Sequence, residues 1–281
     1  QATTIQILER FRAVYIQDST TIGLPDCLSH LWPGGGREAA IKLQVRWDYL
    51  SGRLIGPFLQ PAKRHDRASL VQHLPIEKGA LRLADLGYFG LDGLKQIDQD
   101  GGFYLSRVQV QTQIFDLDGN RLDLPFFLEG QPSDQIDCPV LLGKNHLLNV
   151  RLLAVRVPQD IAQQRRRDLK DHAKRKGQQP SKARLALCDW TILVTNAPQD
   201  LLSLKEALVL ARVRWQIELL FKLWKSHGHL DKSKSQKPWR TLTELYAKMI
   251  GLIIQHWVFL TGLWIYPNKS LVKAAQTVRT Y

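Results

Sequence analysis

The amino-acid sequence predicts an α/β fold: a mixed sheet with flanking helices, interrupted by a β-rich insertion. Three observations predict it. Over the opening hundred residues, period-two and helical runs give three strands, a helix, a strand, a helix and a strand. From Gln109 to about Thr195 the runs are short and alternating, with turn signals such as Asp118-Gly119-Asn120. After Ser203 the apolar spacing is helical throughout.

The elements follow in order. Ile5 to Phe11 reads as a short helix, and Val14 to Asp18 as a strand that ends in Asp18-Ser19-Thr20. A loop rich in proline and glycine follows, holding Pro25, Pro33 and Gly34-Gly-Gly36. Ala39 to Tyr49 alternates apolar and polar residues and suits a strand. Ser51-Gly52 turns the chain into a hairpin partner, Arg53 to Leu59. Arg67 to Leu74 suits a short helix, Leu81 to Asp85 a strand, Leu91 to Gln99 a helix and Gly102 to Val108 a strand. Within the insertion, Val108 to Phe115 and Leu147 to Val157 alternate, and Asp160 to Arg184 reads as a flexible basic loop. Trp190 to Thr195 is strand-like and Asn196-Ala-Pro198 ends it. Met249 to Tyr266 is strongly apolar, but Gln255 and His256 sit near its middle, so it reads as a buried C-terminal helix and not a membrane span.

The formal charge of +13 points to a polyanionic partner, most simply nucleic acid. The cations are densest from Arg165 to Arg184 and again from Lys222 to Arg240. A DNA backbone contact is the preferred reading of the first run over a solvated loop. Cys27, Cys138 and Cys188 are widely spaced, with no CxxC pair, which indicates neither a zinc ribbon nor a disulfide framework and fits a reducing cytoplasm. The histidines show no HxxxH or HExxH spacing, and there is no P-loop or dinucleotide fingerprint. The chain opens at Gln1 and its sole methionine is Met249, which reads as a piece of a longer protein.

The chemistry centres on Arg214-Trp-Gln-Ile-Glu218-Leu-Leu-Phe-Lys222-Leu-Trp-Lys225. Read as one helix, it places Arg214, Glu218, Lys222 and Lys225 on one face and Val213, Leu220, Leu223 and Trp224 on the other. Trp215 and Trp224 read as core. A carboxylate between cations suits an acid that holds a divalent metal while its neighbours hold phosphates; a solvated salt-bridged face is the simpler alternative. Asp18 and Asp85 each close an apolar strand-like run, so they and Glu218 can converge. Such a set suits metal-assisted in-line phosphoryl transfer. Trp190 reads either as a core residue or as a platform for an unstacked base.

The chain resembles the DDE transposases of bacterial insertion sequences, in the insertion-sequence-four class. Tyr15-Ile-Gln-Asp18-Ser-Thr20, Leu83-Ala-Asp85-Leu-Gly-Tyr88-Phe89 and Arg214-x-x-x-Glu218-x-x-x-x-x-x-Lys225 carry the resemblance, with support from Phe103-Tyr-Leu-Ser-Arg107 and Leu193-Val-Thr195-Asn196. It implies an RNase H-like core in two parts, residues 1–108 and 200–281, around a β-rich insertion with a basic loop over 109–199. It implies Asp18, Asp85 and Glu218 as catalytic metal ligands for Mg²⁺, with Mn²⁺ as the alternative. Arg214, Lys222, Lys225, Arg107 and Trp190 would contact DNA. The implied reaction is 3′-end cleavage and strand transfer at element ends, by a homodimer on double-stranded DNA, in the cytoplasm at the nucleoid. Two rivals are a truncated, non-catalytic DNA-binding remnant and a nuclease without strand transfer. Ala211 stands where the family signature has tyrosine, on what this reading takes to be Glu218's helix face.

Overall fold

The structure, a computed structural model, describes residues 2–233, 235 and 237–262. The end of the predicted C-terminal helix, 263–266, lies outside them. In chain order the elements are α1 (Ala2–Leu8), β1 (Val14–Gly23), β2 (Ala40–Asp48), β3 (Leu54–Pro61), β4 (Leu81–Ala84), α2 (Leu91–Gln99) and β5 (Phe103–Arg107). Then come β6 (Ile114–Phe115), β7 (Arg121–Leu122), α3 (Leu124–Glu129), β8 (Gln135–Leu142), β9 (Leu148–Arg156), α4 (Gln159–Arg175) and α5 (Lys182–Ala186). The chain finishes with β10 (Trp190–Thr195), α6 (Leu204–Val213), α7 (Gln216–Ser226) and α8 (Pro238–Gly262). Short 3₁₀ turns at Asp66–Ala68, Leu70–His73 and Leu86–Tyr88 join some of them.

Backbone packing divides the chain into two units. The first takes Gln1–Pro75, Arg82–Tyr88 and Arg212–Tyr281. Its strands run in the order β3-β2-β1-β4. β1 and β2 pair antiparallel over their full length, from Tyr15 opposite Asp48 to Gly23 opposite Ala40. Strand alternation therefore sorts this ribbon into two faces. Ile16, Asp18, Thr20 and Ile22 share one face with Ile41, Leu43, Val45 and Trp47, while Gln17, Ser19 and Thr21 share the other with Lys42, Gln44 and Arg46. Gln17, Gln44 and Arg46 are buried, so the polar face is covered as well. Arg46 donates through both Nη atoms to the carbonyls of Val71, Leu74 and Pro75.

The second unit comprises Ile76–Leu81 and Phe89–Ala211, with strands in the order β5-β10-β9-β8-β6-β7. Two of the quoted motifs are neighbours here: β5 pairs antiparallel with β10, Leu193 opposite Arg107 and Thr195 opposite Leu105. Asn196 fastens the end of that pair, accepting from the Tyr104 amide at 3.0 Å and donating to the Gly102 carbonyl at 2.9 Å.

The structure corrects four readings of the sequence. β1 does not stop at Asp18; it runs to Gly23, because Thr20 and Ile22 continue the buried alternation and threonine favours strands. Asp160 to Arg184 is not a loop; Gln159–Arg175 is a helix of 17 residues. Ala162 and Ala173, three turns apart, are its buried positions, and two alanines are a weak apolar signal. Arg165 and Arg166 strengthen that face: Arg165 donates to the Trp190 carbonyl at 2.9 Å, and Arg166 pairs with Asp189. Arg214 to Lys225 is not one helix, because α6 ends at Val213 and α7 begins at Gln216. Tight turns break it, the Trp215 amide donating to Arg212 and the Ile217 amide to Arg214. Trp215, in that break, is exposed, whereas Trp224 is buried as expected.

α8 buries Leu245, Met249, Leu252, His256 and Phe259 at helical spacing. Among the described residues no helix is long and apolar enough to cross a membrane.

Candidate active site

Asp18, Asp85 and Glu218 all belong to the first unit and reach it by different routes. Asp18 stands in the middle of β1, opposite Val45. Asp85 follows the fully buried β4 and opens the 3₁₀ turn, its carbonyl accepting from the Tyr88 amide at 3.0 Å. Glu218 lies in the first turn of α7, where the helix dipole favours a carboxylate.

One guanidinium joins them. Arg214 Nη1 donates to Asp18 Oδ2 at 3.1 Å, across 196 positions of sequence. Its Nη2 donates to Glu218 Oε1 at 2.9 Å and lies 4.0 Å from Asp85 Oδ1. Arg214 itself lies in the turn between α6 and α7. The other Asp18 oxygen accepts from the Ser19 amide at 2.7 Å.

Burial raises the Asp18 carboxyl from an ordinary 3.8 to about 6. The Ser19 amide and Arg214 oppose the rise, and the neighbouring Asp85 and Glu218 add to it. Desolvation thus outweighs the ion pair, which is the expected balance for a carboxylate held away from water. At neutral pH three carboxylates face one guanidinium, and the excess negative charge suits a further cation.

The donor set has the hard oxygen chemistry that Mg²⁺ or Mn²⁺ takes, and it already shares one cationic group. Among the described residues no three acidic, histidine or cysteine side chains lie close enough to close on a single ion as they stand. The acids encircle the guanidinium instead.

The remaining predicted residues fall in different places. Lys225 donates to the Thr21 carbonyl on β1 at 3.1 Å, which ties α7 to the strand bearing Asp18. Lys222 is exposed on α7. Arg107 ends β5 in the second unit and is exposed. Trp190 is buried with Leu128, Ile136 and Ala154, and the Arg156 guanidinium lies 4.6 Å over its ring. That is the position of a core tryptophan. Ala211 sits on α6 and Glu218 on α7, so the two are not on one helix face.

Sequence reasoning missed a fourth acid. Asp66 Oδ1 accepts from Gln44 Nε2 at 2.7 Å and Ser19 Oγ at 3.1 Å, and pairs with Lys42 Nζ at 3.0 Å. Nothing in Arg64-His65-Asp66-Arg67 separates it from an ordinary turn aspartate. Tyr88 completes the cluster by donating to Gln44 Oε1. Burial and the neighbouring carboxylates push its phenol well up, so it remains a donor.

The chain is 28% identical over 274 residues to the transposase for insertion sequence element IS231F of Bacillus thuringiensis subsp. israelensis, covering 89% of this chain and 57% of that protein. It is 26% identical over 305 residues to the transposase for IS1151 of Clostridium perfringens, covering 97% and 62%. With the IS231E transposase of Bacillus thuringiensis subsp. finitimus it shares 26% over 284 residues, covering 93% and 58%. The chain therefore spans little more than half the length of these curated relatives. A family model, the transposase DDE domain, matches residues 9–254. This match takes in all three acids and Arg214, and with the mixed α/β, RNase H-like architecture it shows that the chain belongs to the transposase DDE domain family.

Proposed function

We propose that this chain is the catalytic domain of a DNA transposase that cleaves 3′ ends at an insertion sequence and joins them to target DNA, with Mg²⁺ or Mn²⁺. The observation that carries the reading is the gathering of Asp18, Asp85 and Glu218 around one guanidinium. When bound, the cations neutralise charge at the phosphate and acidify water. Asp18 and Asp85 would share them, and Glu218 would hold the second. Both Asp18 oxygens already accept hydrogen bonds, which limits its rotation and aims the carboxylate. Arg214, Lys222, Lys225 and Arg107 would hold DNA phosphates; arginine's forked donors suit a phosphate as well as a carboxylate. Two element ends must be brought together, so a homodimer on double-stranded DNA is part of the proposal, as is a cytoplasmic, nucleoid-associated location.

The test is cleavage of DNA carrying element ends. Cutting is expected in Mg²⁺, absent in chelator, and reduced to background by Asp85→Asn. Pre-cut ends supplied with target DNA should give joined products, which a nuclease without strand transfer would not make. A second reading, a non-catalytic DNA-binding remnant, is favoured by Ala211 in place of the signature tyrosine. DNA binding with no Mg²⁺-dependent cutting would establish it.

A further inference from the structure

We infer that Asp66 is a positioning residue that fixes the Asp85 turn against the strand carrying Asp18, and so tunes the divalent-cation affinity of the site. The inference rests on the catalytic reading just proposed.

Ser19 and Gln44 are direct cross-strand partners, and Lys42 lies two residues along β2 on the same face. Side chains alternate along β1, so Ser19 points to the face opposite Asp18. Asp66 thus grips the back of the ribbon whose front bears the catalytic aspartate. Its Oδ1 takes all three donors. Its Oδ2 faces the Asp85 turn: a Cβ added at Gly87 would lie 3.1 Å from that oxygen. Gly87 is therefore the residue that lets the carboxylate approach the turn.

A second link runs in parallel. Gln44 donates to Asp66 and accepts from the Tyr88 hydroxyl. The Tyr88 amide donates to the Asp85 carbonyl at 3.0 Å, and the Tyr88 carbonyl accepts from Gln72 Nε2 at 3.1 Å. A continuous path of hydrogen bonds thus leads from Ser19, beside Asp18, through Asp66, Gln44 and Tyr88 to Asp85. Metal sites need their ligands held by such outer partners, and losing one typically weakens binding about 10–100-fold.

The test titrates the full chain with manganese chloride and follows the rise in its thermal midpoint, without DNA. Asp66→Ala is expected to raise the half-saturating Mn²⁺ concentration about tenfold. Asp66→Asn keeps an acceptor oxygen of the same reach and should recover most of the loss. Gly87→Ala, which crowds Oδ2 and leaves the charge in place, should shift the titration in the same direction as Asp66→Ala; it decides the matter if Asp66→Ala does not fold. A lowered metal-free midpoint with an unchanged Mn²⁺ titration would mean a purely structural role and overturn the proposal. So would Asp66→Asn binding as weakly as Asp66→Ala, since charge rather than position would then be the cause. Asp85→Asn serves as reference. If it responds to Mn²⁺ like the wild type, the catalytic reading fails and this inference with it. If it loses the response while Asp66→Ala and Gly87→Ala keep it, the positioning role alone fails.

Discussion

Asp18 is the residue where stability and function pull apart. Its folded carboxyl titrates at about 6, above its ordinary 3.8, because burial penalises the charged form. The folded state therefore holds the proton more tightly than the unfolded chain, and stability falls as pH rises through this window. A shift of this size corresponds to at most about 3 kcal/mol, with the ion pair to Arg214 already included. Asp18→Asn, neutral and similar in shape, should raise the metal-free thermal midpoint at pH 8. The two proteins should converge below pH 4. A midpoint difference that does not change with pH would disprove the account. Retaining a costly carboxylate is expected where a cation is to be bound. Asp18 and Asp85 were legible in the sequence because each closes or interrupts an apolar run. Asp66 was not, because its significance lies in three donors from β1 and β2, the nearest of them, Gln44, 22 positions away in sequence.

At the scale of elements, the α7–α8 connection is closely packed. Gly228 follows α7, and a Cβ there would meet the Trp224 carbonyl oxygen at 2.5 Å and Leu252 Cδ2, on α8, at 2.6 Å. Backbone cannot give way as a flexible side chain does. Gly228→Ala should therefore cost about 2 kcal/mol and lower the thermal midpoint by roughly 5 °C, read by calorimetry. An unchanged midpoint would show that α8 shifts freely at this point. α8 also buries His256, whose Nε2 bonds the Gly52 carbonyl at 2.7 Å and whose pKa is lowered by desolvation. The apolar run from Met249 showed the later part of α8 in the sequence, while its start at Pro238 came from the structure. Helical spacing did not show α4, whose buried row holds two alanines and whose remaining stability comes from Arg165 and Arg166 bonding other segments.

For the whole molecule, charge is the dominant property. With +13 overall, binding to DNA should weaken steeply with salt. The helical form of α4 lets this be tested at one place, since Arg167, Lys170 and Lys174 are exposed at helical spacing on one face. Replacing all three with alanine should reduce the slope of log K against log salt by about 3, measured by anisotropy on duplex DNA. An unchanged slope would mean that α4 faces solvent only.

The sequence by itself carried most of the strands, the C-terminal helices, the excess of cations and the three candidate acids Asp18, Asp85 and Glu218. Local spacing and residue type carry that information, and neither depends on distant contacts. The tertiary structure alone decided that the signature helix breaks, that Arg214 turns into the gap to face three acids, and that Asp66 braces the ribbon behind them. Each depends on side chains meeting across tens to hundreds of residues, and no periodicity along the chain encodes which of them meet.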